Sequence, residues 1–179
     1  ADAIVINKVN TAKPEDVESI VANAKVCNPK ATVIKATSEV TTDNPESLKG
    51  KRALVIEDGP TLTHGEMGYG AGYVAAEKFG MTVVDPKPYT KGSIKELYTK
   101  YPQLGEIVPA MGYYPEQVKE LEDTINGADC DVVVVATPFD LGRLLNVEKP
   151  LVRVAYGHVD SGEPSLTGVV NGFLDQLGK

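Results

Sequence analysis

The segment Glu57-Asp58-Gly59-Pro60-Thr61-Leu62-Thr63-His64-Gly65-Glu66-Met67-Gly68-Tyr69-Gly70-Ala71-Gly72 gathers side chains and glycines that could do chemistry together. Two adjacent carboxylates can hold Mg²⁺ or activate a hydroxyl. Thr61, Thr63 and His64 supply side-chain donors, and a histidine titrates where proton transfer or phosphate contact needs it. Five glycines allow tight turning and bring backbone amides near a ligand. Amides at the start of the helix that follows favour an anion. Glu57, Asp58 and His64 are the candidate catalytic residues. Thr61, Thr63, Gly65, Gly68 and Gly70 are the candidate contacts to a phosphate or acidic substrate. Gly68-x-Gly70-x-Gly72 is one residue short of the dinucleotide fingerprint. The same glycines would also serve close helix–sheet packing, and a lone histidine also serves as a structural hydrogen-bonder.

A second constellation, Asn7-Lys8-Val9-Asn10, directly follows an apolar run, and Ala36-Thr37-Ser38 comes about one strand later. The stretch 1–38 resembles the back end of GTPases of the metallochaperone and hydrogenase-maturation class, whose Asn-Lys-x-Asp loop holds the base. That resemblance makes Asn7, Lys8, Asn10 and Ser38 candidate base contacts. Position 10 is Asn where the pattern has Asp. An amide offers one acceptor and one donor, which matches adenine's edge rather than the two adjacent donors of guanine. ATP is therefore expected over GTP; otherwise Asn10 merely caps a turn. No G-x-x-x-x-G-K-[ST] occurs, so the chain has no loop of that kind to cradle phosphates. By itself it is not expected to turn over a nucleotide, and the phosphate-binding loop is expected in an N-terminal part of the same protein.

Cations at other strand ends are few. Lys87 in Asp85-Pro86-Lys87-Pro88-Tyr89 and Arg143 after Thr137-Pro138-Phe139-Asp140 are candidate phosphate clamps, with Arg153 weaker because it lies within a strand. Asp140 reads as a helix cap. Net charge is −7 with no basic stripe, which speaks against nucleic acid. Cys27, Cys130, His64 and His158 lack short ligand spacing, so no metal site is expected of them. The distant cysteines read as reduced thiols of a cytoplasmic protein. The longest apolar run, Val132–Ala136, is strand-sized, so no membrane partner is expected.

These residues must be positioned by alternating β-branched runs and helical periodicity, the pattern of a parallel α/β protein. Strands are predicted at Ile4–Asn7, Thr32–Lys35, Ala53–Glu57, Thr82–Asp85, Ile107–Pro109, Val132–Ala136 and Val152–Tyr156. Helices are predicted from Pro14, at Ala71–Phe79, Ser93–Tyr101 and Pro115–Asn126, and near Leu166–Leu177. Gly80 and Gly127 are expected as left-handed caps. A linker is read from Ser38 to Gly50. The expected architecture is a mostly parallel, three-layer α/β sheet: residues 1–49 as the base-recognition end of a P-loop NTPase-type domain, and 50–179 as a Rossmann-like domain. The run Ala3–Ile6 at the first residues reads as a buried central strand, with neighbours expected in a preceding segment.

Lys51-Arg52-Ala53-Leu54-Val55-Ile56-Glu57-Asp58-Gly59-Pro60-Thr61-Leu62-Thr63-His64-Gly65 is similar to the matching stretch of cyclic 2,3-diphosphoglycerate synthetases, a family that also carries the label of predicted GTPase. Residues 84–89, 108–113 and 130–138 continue the likeness, which spans essentially the whole chain. The resemblance implies the C-terminal portion of an ATP-dependent ligase that closes an intramolecular phosphoanhydride in 2,3-bisphosphoglycerate. It implies ATP, Mg²⁺ and K⁺ as cofactors and a phosphorylated small-molecule substrate. Gly142 and Ala155 stand where further basic residues are expected, so the substrate could differ. A regulatory or maturation NTPase acting on a partner and an inert ligand-binding fragment are the alternatives. The oligomeric state is open, a homodimer included.

Overall fold

The structure, a computed structural model, describes residues 1–63, 67–112 and 114–178, with only the backbone at Thr61. Along the chain run β1 (Ala3–Ile6), α1 (Pro14–Cys27), β2 (Thr32–Thr42), β3 (Arg52–Asp58), α2 (Gly59–Thr63), α3 (Ala71–Lys78) and β4 (Thr82–Val83). Then come α4 (Gly92–Lys100), β5 (Val108–Ala110), α5 (Pro115–Gly127), β6 (Val132–Ala136), α6 (Leu141–Leu144), β7 (Leu151–Asp160) and α7 (Leu166–Gln176). They form two compact units, residues 1–39 with 156–179 and residues 40–155. Where the sequence suggests one boundary near Gly50, the structure draws two, because β7 runs on to Asp160 and α7 returns to the first unit.

In the 40–155 unit, β3 is the organising strand. It pairs in parallel with β6 along one edge, from Ala53↔Val132 to Glu57↔Ala136. Its other edge is shared: β4 takes Arg52 and Ala53, and β5 takes Ile56 to Asp58. β7 continues the parallel pairing beyond β6, Val133↔Leu151 to Val135↔Arg153. The uninterrupted runs Ala53–Ile56 and Val132–Ala136 are explained by burial on both faces. Ala53, Val55, Val132, Val134 and Ala136 face Ala75 and Ala76 of α3, together with Leu62, Met81, Leu104 and Ile107. Leu54, Ile56, Val133 and Val135 face Ile94 of α4 and Leu121 and Ile125 of α5. Helix, sheet and helix make three layers. Each fully buried Leu, Ile or Val contributes about 1.5–3 kcal/mol, so the alternation on these two strands carries much of the unit's stability.

The 1–39 with 156–179 unit is built on the parallel pair β1–β2, Ala3↔Thr32 to Ile6↔Lys35. Pro14 opens α1 at a position needing no amide partner, with Glu15 and Asp16 in the favourable first turn. β2 is longer than the sequence pattern indicates and ends at Thr42, not at Lys35. The stretch expected as a linker is thus partly strand. Thr37 Oγ1 donates to Val159 O, and Ser161 N to Lys35 O, which ties β2 to the end of β7 within this unit.

Two cap expectations resolve differently. Gly80 is left-handed at φ 68°, as a helix end requires. Gly127 is the last residue of α5, and Ala128 follows as the cap. No helix among the described residues is long and apolar enough to cross a membrane.

Candidate functional site

Parallel strands present their carboxyl ends together, the place where open α/β sheets bind ligands. Here β3 delivers Glu57 and Asp58, with Pro109 of β5 and Ala136 of β6 flanking Glu57 in register. Glu57 is only 2 % exposed. Its Oε1 accepts hydrogen bonds from Gly70 N at 3.0 Å and Tyr73 N at 2.9 Å. The carboxylate therefore sits on the first turn of α3, where unpaired amides and the helix dipole stabilise negative charge. Burial nevertheless dominates and pushes the Glu57 carboxyl up to about 7, opposed by the amides of Tyr73, Gly70 and Gly72. Such a group exchanges a proton near neutrality.

The amides expected to face a substrate anion are thus partly engaged by the protein's own carboxylate. The glycines explain how. A Cβ on Gly70 would lie 2.5 Å from Glu57 Oε2. A Cβ on Gly72 would meet Val55 Cγ1 at 2.9 Å and Ala136 Cβ at 3.0 Å. A Cβ on Gly59 would lie 2.6 Å from the Ala110 carbonyl oxygen, so only glycine lets the chain leave β3 past the end of β5. Gly72→Ala is expected to lose about 1–3 kcal/mol through overpacking. A urea midpoint unchanged from the parent's would show that α3 can shift to admit the methyl.

Around this centre, Thr63 Oγ1 donates to Gly59 O at 3.0 Å, closing α2, a helix the sequence pattern does not announce. Gly68 O accepts from Gly105 N at 3.3 Å. The Tyr69 and Tyr73 rings lie 5.6 Å apart beside the turn. His64 and Gly65 lie outside the described residues, as does the Thr61 side chain, so their candidate roles receive no geometry.

The candidate clamps have local partners of their own. Lys87 N donates to Asp85 Oδ1 at 3.1 Å, and its ammonium stands 5.9 Å from the Tyr98 ring centroid. Tyr98 OH in turn donates to Ile107 O at 2.6 Å, and burial raises its pKa. Arg143 Nε pairs with Asp140 Oδ2 at 3.3 Å, and 90 % of its side chain is exposed. Asp140 makes no side-chain cap bond to α6; the arginine takes its carboxylate instead. Arg153, the weaker candidate, donates from Nη2 to Pro138 O at 3.3 Å and steadies the turn after β6. Among the described residues no group of three or more His, Cys, Asp or Glu could hold a metal ion.

In the other unit the base-recognition candidates come together locally. Lys8 adopts φ 62°, a left-handed turn that reverses the chain after β1. Asn7 Oδ1 accepts from Lys8 N at 2.8 Å, and Val9 N donates to Ala36 O at 3.1 Å. Asn10 Oδ1 accepts from Ser38 N at 3.3 Å, joining the turn after β1 to the Ala36–Ser38 stretch, which is part of β2 and not a loop. Lys8 O receives Thr11 N and Ala12 N, each at 3.1 Å, which fixes the turn into α1. Asn7, Lys8 and Asn10 are exposed and Ser38 is half-buried. The sequence reading counts Gly59 among the turn glycines without its close approach to Ala110, and passes over the Tyr73 amide, which nothing local marks.

Comparison with known proteins adds a chemical direction. No family model matches the chain. It is 56 % identical over 171 residues to a protein named "Arginine synthetase ArcE" from Thermococcus kodakarensis. That stretch is 95 % of this chain but 38 % of the relative, so the chain spans well under half the length of the curated protein it matches.

Proposed function

We propose that this chain is the corresponding part of an ATP-dependent, arginine-forming synthetase. The observation that carries the reading is the 56 % identity, sustained over 95 % of the chain, to a protein of that name. The strand-end chemistry supports it. A carboxyl that titrates near neutrality and an adjacent aspartate suit a substrate bearing a basic nitrogen group: Asp58 attracts the cation, and Glu57 can take or return a proton as nitrogen is bonded. The 1–39 with 156–179 unit fits the base-recognition end of a P-loop-type NTPase, with Asn7, Lys8, Asn10 and Ser38 around adenine. The 40–155 unit is the Rossmann-like part that binds the second substrate. The phosphate-binding loop belongs to a further, N-terminal part of the same protein.

The described residues of this site do not fit a resident Mg²⁺: Glu57 is buried, engaged by amides and half neutral near pH 7. Mg²⁺ enters with the nucleotide's phosphates, and K⁺ belongs to the same proposal. Closure of an anhydride in 2,3-bisphosphoglycerate is the second reading, favoured by Arg143, whose side chain is mostly exposed at the end of β6. Fewer cations than acids at these strand ends disfavour so anionic a substrate.

The test is calorimetric binding of arginine and of 2,3-bisphosphoglycerate to the intact protein and its Asp58→Asn variant. Arginine should bind, and the variant should bind it at least about tenfold more weakly, as for loss of one charge-assisted contact. Binding of the bisphosphate alone would hand the site to the second reading.

A further inference from the structure

The 1–39 with 156–179 unit buries few apolar side chains: Ile6, Val17, Ile34 and Ala36 among the described residues. A unit of that size with so small a core has little to stabilise it alone. At the same time it exposes apolar surface in a regular pattern. On α7 no residue is buried. Val170, Phe173, Leu174 and Leu177 are 47, 60, 39 and 55 % exposed. Their spacing of three, four and seven residues places them on one helical face. Val5 of β1 and Ile20 of α1 add exposed apolar area in the same unit. Scattered exposed leucines need no explanation, but a continuous stripe marks a face that something covers.

We infer that the α7 stripe is an internal docking face, covered by the portion of the synthetase polypeptide that lies outside the stretch shared with the relative. This rests on the proposed function. The occupant follows from three observations. The relative carries most of its length outside the matched stretch. The chain has Asn7-Lys8-Val9-Asn10, the proposed base-recognition turn, without a G-x-x-x-x-G-K-[ST] phosphate-binding pattern. The exposed stripe belongs to the unit that holds that turn. A portion completing the nucleotide site must pack against this unit, and α7 offers the apolar face for it. A second copy of the chain is the competing occupant. An 11-residue helix is about 16 Å long and about 10 Å across, so the one face it presents is small beside the roughly 800 Å² per partner of a standard interface between copies.

Maleimide labelling of a single introduced thiol tests this on the intact protein, with no ligand and no activity needed. In a background with the exposed Cys27 replaced by Ser, Phe173→Cys and, separately, Val170→Cys are compared with an unfolded control in denaturant. The expected result is labelling slowed at least tenfold in the native protein, equally at high and low protein concentration, in a preparation holding a single polypeptide. Protection that vanishes on dilution identifies a second copy and overturns the inference. Prompt labelling at all concentrations shows an uncovered face and overturns it as well, as does protection that depends on a co-purifying protein. Two positions guard against one variant that fails to fold. Loss of arginine binding would leave the labelling pattern untouched, so the two proposals fail separately.

Discussion

Replacing Glu57 with glutamine should abolish most of the pH dependence of stability between pH 4.5 and 7 and stabilise the protein at pH 8. Burial raises the Glu57 carboxyl from 4.5 to about 7 in the folded protein. Between those values the folded state binds a proton that the unfolded state has released. Stability therefore falls as pH rises through this window, and the contribution is fully present only below it. A shift of that size corresponds to about 3 kcal/mol, a large part of a domain's typical net stability. The amide introduced by Glu57→Gln imitates the protonated carboxyl: its oxygen still accepts from Gly70 N and Tyr73 N, without the desolvated charge. Urea midpoints from pH 4 to 8 would show the parent declining and the variant level. Under the proposed function the same substitution also removes the group that would exchange the proton, and turnover of the intact protein should fall at least about a hundredfold, the scale of general acid–base catalysis. A variant with the parent's pH profile would mean that water reaches the carboxyl and that burial does not control it.

Glu57, a buried carboxyl whose Oε1 anchors the start of α3, shows where sequence reading stops. A glutamate at the end of an apolar strand reads as reactive because nothing local indicates a partner. Its partners, the amides of Gly70 and Tyr73, arrive only after the chain has turned back. The glycine pattern was legible as both a ligand turn and close packing. Gly70 and Gly72 meet Glu57, Val55 and Ala136 closely, so packing accounts for at least part of it. The strands β3 and β6 were legible because burial on both faces demands unbroken apolar runs. β2 beyond Lys35 was not, since between the buried Ala36 and Val40 the residues Thr37, Ser38 and Glu39 are all half-buried and carry no alternation. The return of β7 and α7 to the first unit is a matter of topology, which no local periodicity encodes. The helix near Leu166–Leu177 was legible, but the exposure of its apolar face could come only from the fold.

Asn10 carries the second large expected effect. In the intact protein, Asn10→Asp should reverse the nucleotide preference from ATP toward GTP. The asparagine oxygen already accepts from Ser38 N at 3.3 Å, which orients the side chain and leaves a second lone pair and the amide donors for a base. Adenine's amino group and ring nitrogen pair with such an amide on both sides, whereas guanine sets two donors against it. A carboxylate at the same place retains the Ser38 bond, loses the donor that adenine's ring nitrogen requires, and accepts both guanine donors. One paired contact of this kind is worth about 1–3 kcal/mol of discrimination, so the ATP-to-GTP affinity ratio should change by roughly ten- to a hundredfold, and by more if neither nucleotide is well hydrated in the site. Competition binding with both nucleotides on parent and variant measures it directly. The Ser38 contact makes the experiment selective: a residue that only capped the turn would be served equally well by Asp, and the substitution would then leave both affinities where they were. A parent that already favours GTP would remove adenine from the site altogether, and with it the reason for an amide at position 10.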